Sequence, residues 1–564
     1  MDRPTAKEWS AAAALFALLT VAMTWPFAAR LTVIDAGDSA YFTWAVGWQV
    51  HAIKTDPSSL PHGNFYAPSR FTFFMDEPVL GTGLLVLPLS LFTDDAILLF
   101  NVARLLTWVL TGLFTWRLAR DLGLQPSAAL ATGAFFAFSP IRGDQVAHLS
   151  TLGTQWIPLV YLFARRFCLN PSVMDAAKTG LFFALSFLAC GYHGLFFAVV
   201  LPLSLIPFLF TPRIRGILTQ GAGTVITATV FLYPLYALSR AALGPLGFVR
   251  SPGDTLKFAA SLETFLAANR WNRVWGDLTE TFRGDSSNLF PGAVVIALAL
   301  LGFAREMQQP ASDRRRFVGG IAVLGIAAAL LALGPEIRWR GVTLMPGPFA
   351  FLRDHVPVFS NIRATARAGI FVAFALAVLA GYAINSSKRP VAAALMAMTA
   401  FLVEARVAPI PTPVWSTVID SRAAIPAIDR WLKDQPPGLI IAELPARSPA
   451  DYARPAFHDS IYMVRSTRHW QRLVNGFAGA ETPLIQRFRT LAPSFPSPEL
   501  LAVLDEAGVR YVVIHLRGYG PNQRERMSLD LDAARDRLRE VVRFANHDQG
   551  DFAADIVYEL RPRR

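Results

Sequence analysis

From Ile34 to Gly83 the chain reads IDAGDSAYFTWAVGWQVHAIKTDPSSLPHGNFYAPSRFTFFMDEPVLGTG. Acidic pairs open and close this stretch, Asp35/Asp38 at one end and Asp76/Glu77 at the other. Between them lie Tyr41, Trp44, Trp48, Phe65, Tyr66, Phe71, Phe73 and Phe74. The segment is too polar to span a bilayer and too aromatic to be an idle linker. Tryptophan and tyrosine favour the boundary between lipid and water, where a ring can be apolar on one side and wet on the other. We therefore expect residues 31–94 to form a large loop on the membrane surface that carries an acidic active site.

The rest of the chain supports a membrane setting. Of its 564 residues, 53% are hydrophobic and only 17% charged, against roughly 25% charged in soluble domains. The net charge of +12 is no nucleic-acid footprint, because many basic residues fall in short clusters between apolar runs, where cytoplasmic loops attract Lys and Arg. The two cysteines, Cys168 and Cys190, are too few for a disulfide framework and lack metal-ligand spacing. The first apolar run ends in Trp25-Pro26-Phe27, without a small-residue cleavage site, which argues against a removed secretory signal.

A span of about 20 apolar residues crosses a bilayer. That ruler predicts about eleven spans, near 9–30, 95–119, 127–140, 150–167, 179–190, 191–211, 216–239, 289–304, 317–333, 367–384 and 391–407. Basic clusters at Arg117/Arg120, Arg165/Arg166, Arg213/Arg215, Arg314–Arg316 and Lys388/Arg389 mark alternate loops and place the N-terminus in the cytoplasm. This topology needs 179–211 to be a helical hairpin turning at Gly191–Gly194, and needs Pro78–Phe92 to lie on the surface. From a Pro-rich hinge (Pro409, Pro411, Pro413) the composition changes. GLIIAEL, VRYVVIHL and ADIVYEL read as short buried strands, and SPELLAVLDEAG as a helix with a start and a stop signal. The expected division is a transmembrane region over 1–407 and a soluble α/β domain over 408–564 outside the membrane.

Several residues could carry chemistry, each with a plainer alternative. Asp38 suits a general base that activates a hydroxyl, and equally suits a helix N-cap. Asp76 and Glu77, before Pro78, could orient a substrate or bind a divalent ion such as Mg²⁺ or Mn²⁺, or act as acidic caps. Arg363 and Arg367 in NIRATARAG lie four apart at an expected helix start and could hold a phosphate, or anchor to lipid headgroups. His148, in a loop with Arg142 and Asp144, could move a proton or contact a sugar, or simply be solvated. Tyr192 and His193 sit at the expected hairpin tip with the same choice. Walker, Rossmann, HExxH and CxxC patterns are absent, which leaves nucleotide-driven pumping unsupported.

The layout resembles the GT-C superfamily of integral membrane glycosyltransferases. An N-terminal span is followed at once by an outer loop with an early Asp38, then by Glu77-Pro78, a surface-lying apolar stretch and the acidic turn Thr93-Asp94-Asp95. Within that group it is similar to bacterial enzymes that use lipid-linked sugars. The segments HLSTLGTQWIPLVYLFARR, NIRATARAGI, MVRSTRHWQRLVNGFAG and ELLAVLDEAGVRYVVIH resemble YfhO-like bacterial membrane proteins. One departure stands out: Glu77 is followed directly by Pro78, with no lysine between. The resemblance implies a polytopic α-helical GT-C fold with Asp38 as catalytic residue and Asp76 or Glu77 in support. It implies an inverting transferase in a bacterial inner membrane. A polyprenyl-phosphate sugar would be the donor and a periplasmic glycan, lipid or protein the acceptor. The alternatives are a non-catalytic scaffold or lipid- and glycan-handling protein on the same frame, and, ranked last, a flippase or transporter.

Overall fold

A computed structural model describes residues 4–35, 37–248, 250–284, 288–407, 418–446, 459–546 and 550–562. The expected Pro-rich hinge at Pro409–Pro413 lies outside the described residues, as does the boundary drawn at 407/408.

Each of the eleven expected spans coincides with a helix: Ala6–Thr24, Ala96–Asp121, Pro126–Ala137, Ile157–Leu169, Val173–Ala189, Gly191–Leu209, Ile214–Leu243, Ala293–Met307, Asp313–Ala332, Gly369–Asn385 and Pro390–Ala405. Among the described residues, six stretches are long and apolar enough to cross a membrane unaided: Ala6–Thr24, Ala96–Asp121, Gly191–Leu209, Ile214–Leu246, Asp313–Ala332 and Thr365–Asn385. The chain is a multi-pass membrane protein with a strand-containing C-terminal region. Local signals set the helix ends. Thr5 and Glu8 form a capping box on the first helix, and Asp95 accepts the Ile97 and Leu98 amides at the start of Ala96–Asp121. Helices approach closely where side chains vanish: a β-carbon on Gly302 would strike the Leu379 backbone of Gly369–Asn385.

The expected hairpin exists, but Cys190 makes the break in extended conformation, so Tyr192 and His193 occupy the first turn of Gly191–Leu209. The stretch after Pro78 does not cross. It forms short turns at Leu80–Gly83, Leu84–Val86 and Leu89–Leu91, with Leu91 and Phe92 exposed.

The C-terminal sheet has the strand order Arg472–Leu473, Ile440–Leu444, Tyr511–His515, Gly550–Leu560, Leu538–Asn546. The first three strands are parallel and the other pairings antiparallel. A second pairing joins the first loop to the start of the C-terminal region: Val33–Asp35 runs antiparallel to Val418–Asp420, with Ile34 opposite Ile419.

The expectation that these aromatic rings meet the lipid–water boundary is corrected. Tyr41, Trp44, Trp48, Phe65, Tyr66, Phe73 and Phe74 are buried and share one core with Ile441, Leu444, Val512 and Ile514 of the C-terminal sheet. The helix Asp38–Thr55 is covered on nearly all sides. The Trp44 ring meets Phe65 edge-on at 4.8 Å, and Trp470 stacks on His51 at 4.1 Å. Burying such a ring contributes about 2–3 kcal/mol, more than interfacial placement can match when a second apolar surface is at hand. At the centre of this joint sits Asn64. Its Oδ1 accepts the Trp44 indole N–H at 2.7 Å, and its Nδ2 donates to Ser466 Oγ and to the Gln471 carbonyl.

Asn64→Ala would strand buried groups on both sides of the joint, at about 1–3 kcal/mol each. The variant is expected to unfold at a lower temperature than wild type in detergent, followed by tryptophan fluorescence. An unchanged midpoint would contradict this account of the joint.

Candidate active site

Gly37 turns the chain from Val33–Asp35 into the helix Asp38–Thr55. Its φ of 88° lies in the region that favours glycine, and its amide donates to Ser460 Oγ of the C-terminal region. Asp38 is consequently the first helical residue. Gly37 occupies the cap position and no side chain caps this helix, so the capping role considered for Asp38 is not the one observed. Its carboxylate instead meets His148 Nε2 at 3.0 Å. Burial would push the Asp38 pKa up, but the His148 hydrogen bond and the positive fields of His148, Arg367 and Arg363 outweigh it and hold the carboxyl below its usual range. Asp38 is a firm carboxylate at neutral pH.

The loop carrying His148 is fixed from three sides. Arg104 donates to the Val146 carbonyl at 3.1 Å. Arg142 donates to the Leu152 carbonyl at 3.0 Å, with its guanidinium over Trp108. Asp144 accepts hydrogen bonds from Asn269 and Asn288.

The second acidic pair faces the same space. Asp76 accepts the Glu77 amide at 2.7 Å. Glu77 pairs with Arg367 at 3.6 Å and accepts from Cys190 Sγ. The Arg367 guanidinium lies over the Tyr192 ring at 4.4 Å, and Arg363 over Phe258 at 4.6 Å. The expected helical spacing of the two arginines is corrected: 365–368 is a 3₁₀ turn and the helix starts only at Gly369. They converge through an irregular entry and not through one helix face. His193 is buried, its Nδ1 lacks a partner among the described residues, and it borders a small cavity with Arg367, Gln145 and Asn288. The fold thus brings Asp38, His148, Asp76, Glu77, Tyr192, His193, Arg363 and Arg367 to one end of the bundle.

Two contributors escaped the sequence reading. Arg250 donates to the Gly479 carbonyl at 3.4 Å, and the Gly479 amide in turn bonds Asp76. A lone arginine in a long loop and a glycine in a remote domain carry no local signal. Burial and the neighbouring Arg363 charge lower the Arg250 pKa, the mark of cations crowded into one place. Arg250, Arg363 and Arg367 all lie within the surroundings of the Tyr192 ring, a concentration of guanidinium groups of the kind that pairs with anions. Tyr41, first read as an interfacial ring, has a buried hydroxyl without a partner among the described residues and within the field of Asp76 and Glu77.

The residues do not gather as a metal site. Among the described residues no group of three His, Cys, Asp or Glu side chains is placed to hold an ion. The three carboxylates are each engaged, Asp38 by His148, Glu77 by Arg367 and Asp76 by a backbone amide.

These features define a membrane protein of the GT-C fold. By its sequence the chain belongs to the family described as a domain of unknown function, DUF6311, whose profile matches residues 11–404. Among solved structures it is similar to the arabinofuranosyltransferase AftD from mycobacteria, at 15% identity and a TM-score of 0.61 over 100% of this chain and 40% of that one. A mutant form of AftD matches at 17% identity and 0.53, over 100% of this chain and 42% of that one. ArnT from Cupriavidus metallidurans, bound to undecaprenyl phosphate, gives 12% identity and 0.49 over 98% of each chain. The chain therefore spans about two fifths of the length of AftD. No curated protein matches, and nothing in the comparisons bears on the likeness to YfhO-like proteins.

Asp76 gives the site a pH signature. Burial, reinforced by the charges of Glu77 and Asp38, raises its pKa to about 6. A raised carboxyl favours the protonated fold, so its stabilising effect is present at low pH and fades as pH climbs through about 6. Above that pH its charge opposes an anion at the arginines. A phosphate-headgroup lipid is expected to bind wild type and Asp76→Asn alike at low pH. At neutral pH Asp76→Asn should bind on the order of fivefold tighter, ~1 kcal/mol of like-charge repulsion. Equal affinities at both pH values, measured by thermophoresis, would remove Asp76 from the site.

Proposed function

We propose that this chain is a GT-C-type glycosyltransferase. It would move a sugar from a polyprenyl-phosphate donor to a cell-envelope glycan, lipid or protein acceptor at the periplasmic face of a bacterial inner membrane, with its N-terminus in the cytoplasm. The observation that carries the reading is the carboxylate Asp38, held ionised by His148 at 3.0 Å and placed within the field of Arg363 and Arg367. A base and a cationic cradle at the bundle end that meets the C-terminal domain suit an acceptor hydroxyl and a lipid phosphate arriving together.

In the proposed step Asp38 takes the acceptor hydroxyl proton as the oxygen forms its bond to the anomeric carbon. The bond from that carbon to the phosphate oxygen breaks, and its electron pair leaves on the lipid phosphate. The configuration inverts. Arg250, Arg363 and Arg367 receive the developing phosphate charge, while Glu77 and the Tyr192 ring orient Arg367. His148 positions Asp38 and keeps it deprotonated.

The test is complementation of a deletion strain, with surface glycans read by mass spectrometry and all variants matched for membrane abundance. Wild type is expected to restore a missing sugar. Asp38→Asn should lower transfer by about 10²–10⁴-fold, and Arg363→Ala/Arg367→Ala by about 10²–10³-fold. Full restoration by Asp38→Asn would defeat the catalytic reading and favour a non-catalytic scaffold on this frame.

A further inference from the structure

The loop that follows the span Asp313–Ala332 opens with a β-hairpin, Glu336–Trp339 paired with Val342–Pro346. Arg340 and Gly341 close it with φ of 48° and 80°, the mirror-image turn that matches the twist of paired strands. Side chains alternate across a strand, so the register sorts the hairpin into two faces. Ile337, Trp339, Val342 and Met345 share one, and Glu336, Arg338 and Thr343 the other.

A surface hairpin ordinarily turns its apolar face inward and its polar face to water. Here the two are exchanged. On the polar side Arg338 donates to the Leu256 carbonyl at 2.7 Å and Thr343 to Glu336 at 2.7 Å. Glu263 holds the turn by accepting the Arg340 amide at 2.8 Å. On the apolar side only Ile337 reaches the bundle core. Trp339 stands outward, and Val342 and Met345 are 62% and 57% exposed. The exposed apolar surface continues onto Leu262 and Leu266, in a 3₁₀ turn packed against the first strand. Contiguous apolar surface of this kind marks a contact with something else.

Connectivity says what that is. Only Leu333, Gly334 and Pro335 separate the span from the hairpin, a reach of at most about 14 Å. The hairpin therefore stands where the span leaves the bilayer. It lies no deeper, because this two-stranded sheet has open edges, which hydrocarbon excludes. At the boundary its side chains reach acyl chains while its edges stay wet. Tryptophan is at home there. The exposed Arg340, with its guanidinium over the Trp339 ring at 6.0 Å, complements headgroup phosphates.

We propose that this hairpin is seated in the bilayer surface, with Trp339, Val342 and Met345 among the acyl chains and Arg340 on headgroup phosphates. Its base is fastened to the turn that carries Arg367. The Gly347 amide donates to the Pro335 carbonyl at 2.8 Å, and the Thr365 hydroxyl to the Ala332 carbonyl at 3.1 Å. Seating the hairpin thus sets the depth of Arg363 and Arg367 against the lipid headgroups. The seating itself stands whether or not Asp38 catalyses transfer.

The experiment places a nitrobenzoxadiazole label at Val342→Cys, Met345→Cys or Thr343→Cys in the full chain, in phosphatidylcholine nanodiscs. Cys168 and Cys190 are buried, and the unsubstituted chain serves as the blank. Phosphatidylcholine carrying a doxyl group high on its acyl chain is expected to quench the labels at 342 and 345 and to spare the one at 343. Aqueous iodide should do the reverse. Thermal midpoints equal to wild type show that the variants are folded, and either apolar-face position suffices should the other fail that check. Iodide quenching at all three positions, with no effect of the doxyl lipid, would put the hairpin in water and overturn the proposal. So would shielding from both quenchers with Val342→Cys cross-linking two chains, which would give this face to a second copy.

Discussion

One buried amide, Asn64, ties together parts of the chain that lie about 400 residues apart in sequence. It links the indole of the loop helix to the turn after Asp459–Ser466. Because a buried amide is costly when unpaired, this knot fixes how the C-terminal domain sits on the first loop. The strand pairing of Val33–Asp35 with Val418–Asp420 and the tether from Gly37 to Ser460 follow from the same docking. All three act within a few residues of Asp38. The C-terminal domain thus helps to build the site around Asp38, and its Gly479 reaches both Asp76 and Arg250.

The electrostatics of the site follow from that assembly. Three carboxylates and three guanidinium groups share a partly buried space, where interactions are stronger than in water. The pairs are not symmetric. Glu77 is committed to Arg367 and Asp76 to backbone amides, while Asp38 is held by the His148 imidazole. That leaves Arg250 and Arg363 with the least compensation, and Asp38 as the carboxylate whose partner can move a proton.

Much of this was legible in sequence, for physical reasons. Apolar runs of bilayer length are dictated by hydrocarbon thickness, and six of the expected spans are, among the described residues, helical stretches long and apolar enough to cross. Asp38, His148, Tyr192, Arg363 and Arg367 stood out because ionisable and polar groups at the ends of apolar helices have few structural duties. What failed was anything set by docking. Tyr41, Trp44 and Trp48 carry the composition of a membrane-surface helix, and only the apposed sheet around Ile441 and Val512 turns them into core. Arg250 and Gly479 lie 229 residues apart and have no motif. The spacing of Arg363 and Arg367 suggested a helix face, yet 365–368 is a 3₁₀ turn.

The most direct test of the central claim is a cryo-EM structure of the full chain in nanodiscs with a polyprenyl-phosphate sugar. The account predicts phosphate density against Arg250, Arg363 and Arg367, with the anomeric carbon facing Asp38 and His148. A phosphate held elsewhere, with the arginines still closed on Glu77 and its neighbours, would contradict it.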